Sequence, residues 1–271
     1  MTERTRRRLA DAAGVGLLLA TCAVPVQVLA QAPETAAAGT PDTLFFGGEF
    51  VGVAPGPRGM TGAFEWLHPL TPKRSINTGV LTFTLGDSVW TYGRAGAMWR
   101  FGDSTAVHGQ VDLGAGREGE DGFGYLTLRG TLSHELLARR LTLELEDHYV
   151  HINTTVGHSG RVGLTFRPAQ HWAVGAAVHS SLGTALGVQA VTVRIARDVH
   201  NATLFGGLSA GRWRPALIGL AGEGPAEHTY DVFAGAVIPI DRFSLTLAFD
   251  SLQTVHARKH SVVLNWKLPL S

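Results

Sequence analysis

Leu141-Thr142-Leu143-Glu144-Leu145-Glu146 alternates apolar and polar residues without a slip, and Ser244-Leu245-Thr246-Leu247-Ala248-Phe249-Asp250 repeats the pattern near the other end of the chain. A period of two is the signature of a strand with one greasy and one polar face. In a soluble sandwich the greasy faces meet in a core, whereas in a membrane barrel they meet lipid and the polar faces line a lumen.

Working outward from this stretch, Asn153-Thr154 reads as a two-residue turn. It sets Leu145, Leu143 and Leu141 against Val162, Leu164 and Phe166 on one face, and Glu146 against Arg161 with Thr142 against Thr165 on the other. A preceding hairpin centred on Leu136-Leu137 would place Arg129 against Glu144 and Leu128 against Leu145. A final hairpin centred on Ala257-Arg258 would place Phe249 against Trp266 and Asp250 against Asn265. All three hairpins share an apolar outside. The polar side carries a charge ladder of Arg129, Glu144, Glu146, Arg161 and Arg167, joined by Arg94 and Arg100.

The same pattern, cut by turn residues, divides the region from Thr43 onward into about fourteen strands, with twelve as the fallback. They fall near 43–53, 60–68, 78–86, 89–101, 105–115, 122–132, 140–151, 157–167, 171–181, 187–196, 201–210, 229–238, 242–251 and 261–270. Lengths of about nine to thirteen residues match what a tilted strand needs to cross a bilayer and exceed the usual strand of a soluble protein. Tight links such as Gly86-Asp87-Ser88, Phe101-Gly102-Asp103, Arg167-Pro168-Ala169 and Pro239-Ile240-Asp241 contrast with longer ones at 54–58, 116–121 and 211–227. This predicts short turns at one end of a barrel and long loops at the other. The fold class is therefore all-β: an antiparallel up-and-down transmembrane β-barrel over residues 43–271.

Residues 1–30 read as a signal peptide: Arg6-Arg7-Arg8, an apolar stretch from Gly14 to Val28, and cleavage after Ala30. Residues 31–42 read as a flexible Ala/Thr/Pro lead. The one cysteine, Cys22, lies within the signal, so thiol catalysis, disulfides and zinc–thiolate sites are not expected of the mature chain. A net charge of +1 with 17% charged residues offers no basic surface for nucleic acid. The expected location is the bacterial outer membrane. The expected partners are outer-membrane lipid and lipopolysaccharide, the assembly machinery through the C-terminal strand, and a small solute or a polysaccharide.

Motifs with chemistry are few. Among twelve histidines, His148 and His151 flank Asp147, but residues three apart on a strand point to opposite faces, so no metal or cofactor is expected. His179 and Ser181 share a face, as a general base and its nucleophile must. Outer-membrane lipid hydrolases use such a pair, yet the neighbouring stretch offers only Gln189 as an orienting group. The principal reading is non-enzymatic pore, transport or envelope work. The alternatives are a structural or docking barrel with a plugged lumen, and a lipid hydrolase using His179 and Ser181.

The segment from Arg129-Gly130-Thr131-Leu132 through Leu137-Ala138-Arg139-Arg140-Leu141-Thr142-Leu143, the hairpin ending in Phe166-Arg167-Pro168, and the terminal Leu264-Asn265-Trp266-Lys267-Leu268 resemble the YaiO-type outer-membrane barrels. The closing aromatic of that family is absent, since Leu270-Ser271 ends the chain. The resemblance implies an integral outer-membrane protein associated with surface polysaccharide or envelope functions, and it supplies no catalytic residue.

Overall fold

A computed structural model describes residues 41–54, 56–153, 155–183, 187–214, 227–255 and 258–270. The signal peptide, all but the last two residues of the lead, and Ser271 lie outside the described residues. Fourteen strands follow one another: β1 (Thr43–Ala54), β2 (Arg58–Thr71), β3 (Arg74–Leu85), β4 (Ser88–Phe101), β5 (Thr105–Glu118), β6 (Asp121–Leu136), β7 (Leu141–Ile152), β8 (Thr155–Ala169), β9 (Trp172–Gly183), β10 (Gly187–Val199), β11 (Ala202–Arg214), β12 (Glu227–Ile240), β13 (Phe243–Gln253) and β14 (Arg258–Pro269). Each pairs antiparallel with its sequence neighbours, and β1 pairs with β14 from Thr43↔Pro269 to Ala54↔Arg258, so the sheet closes into a barrel without an edge. No helix occurs among the described residues.

The alternation in the sequence becomes an inside and an outside. Along β8, Arg161, Gly163 and Thr165 are buried while Val162, Leu164 and Phe166 are exposed. Phe50, Leu113, Val178, Val193, Leu208, Val232 and Phe249 continue the exposed apolar surface around the ring. A soluble monomer rarely shows a contiguous apolar patch of more than a few hundred Å²; a barrel in lipid shows such a band by design. Trp66, Trp99, Trp172 and Trp266 sit at the end of the barrel that also holds Thr43 and Pro269, hereafter the terminal end. Asp42 ties this end together. Its carboxylate accepts from Trp66 Nε1 at 3.0 Å and meets His68 Nδ1 at 2.7 Å, and its carbonyl accepts from the Leu270 amide at 2.6 Å. The last residue of the expected flexible lead is therefore a closing clamp.

Pairing across β7 and β8 follows the two-residue turn at Asn153-Thr154, with Leu145↔Val162, Glu146↔Arg161 and Thr142↔Thr165. The other two expected hairpins are displaced by four in the sum of partner numbers. Leu136 pairs with Leu141, so Arg129 faces His148 rather than Glu144, and Leu128 faces Tyr149. Gln253 pairs with Arg258, so Phe249 faces Val262 and Asp250 faces Ser261. The cause at the first turn is a left-handed run at Leu137, Ala138 and Arg139 (φ 51°, 52° and 71°), conformations that the residue types do not announce. Both displacements are even, so every side chain keeps its expected face.

The strands are longer than expected, from 11 residues in β13 to 16 in β6. The segment 116–121 narrows to a turn at 119–120, the gap between the expected strands 60–68 and 78–86 narrows to 72–73, and Arg167-Pro168-Ala169 is an irregular stretch of β8 rather than a turn. Of the expected longer link 211–227, the ends belong to β11 and β12 and 215–226 lie outside the described residues; the end of the barrel opposite the termini is hereafter the loop end.

Candidate functional site: the barrel lumen

The inward face changes character along the axis. At the loop end it is apolar along β1 and β3 to β7, while on the β12 to β14 side buried Lys259 pairs with Val53 and Leu252 and buried Asp231 pairs with Leu252. Val51 and Val53 at the close of β1, Phe83 and Leu85 at the close of β3, and Trp90 at the start of β4 form one cluster. The Trp90 ring stacks on Phe83 with centroids 4.7 Å apart and meets Phe123 of β6 edge-on at 5.7 Å. Gly116 on β5 makes this possible, because a Cβ there would collide with both Trp90 and Phe123. Val150, Ile152 and Leu252 are buried at the same end of β7 and β13.

Below this apolar layer the lumen is polar and cross-braced. Arg94 of β4 lies directly across from Asp112 of β5 and meets it with two nitrogens, Nε to Oδ1 at 2.9 Å and Nη2 to Oδ2 at 3.2 Å. Its third nitrogen reaches over Gly79, which pairs with both Arg94 and Glu65, to Glu65 Oε2 at 3.4 Å. Asp112 also accepts from Gln110 Nε2 at 3.0 Å and Thr127 Oγ1 at 3.3 Å.

A second group occupies β6 to β10. Glu144 Oε2 accepts from Arg161 Nη2 at 2.8 Å and Arg194 Nη2 at 3.3 Å. Glu146 lies between Arg129 Nε at 3.5 Å and Arg161 Nη1 at 3.8 Å. Arg194 also donates to Thr165 Oγ1 at 2.6 Å, and Arg167 donates to Thr142 Oγ1 at 3.0 Å. A Cβ at Gly175 would stand 2.5 Å from Arg194 Nε, so only glycine leaves that guanidinium its place. The expected ladder residues Arg129, Glu144, Glu146, Arg161 and Arg167 are thus brought to one wall. Arg194, which carries the network across to β10, was not singled out from the sequence; its alternation in Val191-Thr192-Val193-Arg194-Ile195 was the available signal.

A third group has the opposite balance. Lys259 Nζ lies 3.6 Å from Glu49 and 3.5 Å from Asp250, with Asp231 buried on the adjacent β12. This wall spans β12 to β1 and the arginine wall spans β6 to β10, which places them on opposing sides of a ring of fourteen. Phe205, Phe233, Ala248 and Val263, one from each of β11 to β14, form an apolar inner patch.

At the terminal end a cavity of about 280 Å³ opens beneath the arginine wall. Arg100, Arg167 and Arg194 line it with the hydroxyls of Ser104, Thr105, Ser133, Thr142 and Thr165.

His179 Nε2 meets Thr192 Oγ1 at 3.4 Å, and Gln189 pairs with Ser180 on the exposed outer face, away from His179 and Ser181. His148 is buried inside while its neighbour at 151 takes the opposite parity, and no group of ligating side chains among the described residues could hold a metal ion.

No protein-family model matches the chain, and no curated protein matches it. Solved structures do. A mutant of TodX described as a monoaromatic hydrocarbon channel superposes with a TM-score of 0.62 at 9% identity, over 86% of this chain and 91% of that one. The Pseudomonas putida toluene transporter TodX itself gives 0.59 at 10% identity, over 89% and 91%. A bacterial polysaccharide outer membrane secretin gives 0.56 at 7% identity, over 87% and 100%. At such identities the likeness is one of fold, and the chain has the closed fourteen-stranded fold of outer-membrane channels.

Proposed function

We propose that this chain is a narrow channel of the bacterial outer membrane for small solutes. Its terminal end would face the periplasm and its loop end the exterior. The observation that carries this reading is the division of the lumen into an apolar seal at Val51, Phe83, Leu85 and Trp90, a charged middle, and a polar cavity at the far end. A purely structural barrel has no need for such a sequence of environments. A channel uses the seal as a barrier to water and ions and uses the charged walls to select among solutes. The channels and transporter of the same fold support the reading at the level of architecture.

The membrane location follows from the outer face. Leu164 is 47% exposed between Val162 and Phe166 in the apolar band. Leu164→Arg is expected to cost about 2–4 kcal/mol, the penalty of a cation near the middle of a lipid-facing strand. Folding titrations in urea into lipid vesicles, read by heat-modifiable gel mobility, would show it. Equal midpoints for the variant and the parent would place this face outside lipid.

The channel itself is tested in planar bilayers. The parent protein is expected to give small, infrequent steps because the seal is closed for most of the time. If neither the parent nor variants opened at the seal conduct any ion or solute, the lumen is a plug, and the structural reading replaces the channel.

A further inference from the structure

The arginine wall holds more positive charge than its own carboxylates neutralise. Arg129, Arg161, Arg167 and Arg194 stand around two acids, Glu144 and Glu146. Arg161 and Arg194 share one oxygen of Glu144, and the hydrogen-bond acceptor of Arg167 is the neutral hydroxyl of Thr142. Buried charge in excess of its partners is costly unless something of opposite sign meets it. Two of these arginines, Arg167 and Arg194, line the terminal-end cavity together with Arg100.

We propose that this cavity is a binding site for the carboxylate of a small organic acid, and so names the solute class of the channel; it rests on that channel reading. The guanidinium fork matches a carboxylate with two parallel donors, and hydroxyls of the lining supply further donors. The acids on the lining do not oppose this. Glu144 is held by Arg161 and Arg194, Glu135 by Arg139 at 3.3 Å, and Asp198 accepts from Thr203 at 2.7 Å. Asp103 and Asp198 are exposed at the mouth rather than set against the arginines. A volume of about 280 Å³ suits a small acid. Ala106, Ala173, Ala196 and Trp172 on the lining accommodate an acid whose remainder is hydrocarbon.

The test is calorimetric titration of the detergent-folded full barrel with benzoate, with benzyl alcohol as its neutral counterpart and with inorganic phosphate. Benzoate is expected to bind and benzyl alcohol not to bind. Arg167→Gln should weaken benzoate at least about tenfold, the loss of one charge-assisted pair, and Arg167→Lys should restore part of it. Heat-modifiable mobility confirms that each variant is folded. Equal binding of benzyl alcohol, unchanged affinity in Arg167→Gln, or binding of phosphate without benzoate would each overturn the assignment. Bilayer conductance is read separately: a barrel that conducts without binding benzoate keeps the channel and loses the site, and a barrel that binds but never conducts keeps the site and loses the channel.

Discussion

Arg94→Ala is expected to be the most destabilising single substitution among the lumen charges, at about 3–5 kcal/mol, because it leaves buried charge without a partner. Arg94 is the cation that meets both Asp112 and Glu65, and its side chain is 9% exposed. Without it, Asp112 keeps Gln110 and Thr127, and Glu65 keeps Asn77. These are neutral donors, and none offsets a full negative charge. Arg161→Ala provides the contrast. Glu144 would still hold Arg194, and Glu146 would still hold Arg129, so the loss should be nearer about 1–2 kcal/mol. Arg94→Lys should fall between, since it keeps the charge and forfeits the two-pronged contact. Adding Asp112→Asn to Arg94→Ala should recover part of the loss by removing one of the stranded charges. Urea midpoints of the four variants order these costs. If Arg94→Ala costs no more than Arg161→Ala, lumen charges are solvated well enough that their pairing does not decide stability.

The strand number and the two faces were legible in the sequence because both depend only on a period of two. A turn that slips pairing by an even number leaves that period intact. This is why the hairpins at 137–140 and 254–257 changed partners without changing faces. Register was legible only where turn chemistry was explicit, at Asn153-Thr154, since asparagine readily takes the positive φ of 52° found there. Leu137, Ala138 and Arg139 adopt the same region against their preference, and nothing in their side chains gives notice of it. Of the salt-bridge partners, Glu146 and Arg161 were legible as a pair and the others only to the wall. Long arginine side chains reach across two strands, as Arg94 does over Gly79 and Arg194 does over Gly175, and the glycines that permit this look in the sequence like interruptions of a strand.

The apolar seal was not legible, for a reason that is itself informative. In Leu81-Thr82-Phe83-Thr84-Leu85 the alternation is as clean as in β7, and the rule of greasy outside would turn Phe83 and Leu85 outward. The structure turns them inward and leaves Thr82 and Thr84 outside. The same inversion occurs in Tyr149-Val150-His151-Ile152, where Val150 and Ile152 are buried, and in Ser251-Leu252-Gln253. Each inversion lies at the loop end of its strand. Where a strand rises above the proposed bilayer its outer face meets water, so polar residues move outside and apolar ones become free to fill the lumen. A change of hydrophobic phase within one strand therefore marks the height at which it leaves the lipid, and the inverted segments together compose the seal.

That arrangement makes the seal the place where a small substitution should change function most. Leu85→Ser and Phe83→Ser are expected to raise conductance several-fold over the parent, because a polar group in an apolar constriction lets water remain there. Trp90→Ser should act in the same direction and add the loss of the ring that Phe83 and Phe123 pack against. Stability should move the opposite way, since truncating a buried aromatic leaves a cavity worth about 3–5 kcal/mol. Opening and destabilisation are separable by a second comparison. Phe233→Ser lies in the other inner apolar patch, and the cavity it leaves should be of the same order without touching the seal. Conductance that rises for Phe83→Ser and stays at the parental level for Phe233→Ser identifies the loop-end cluster as the barrier. Equal rises in both would show that any loosening of the barrel leaks, and the seal would then be packing rather than a gate.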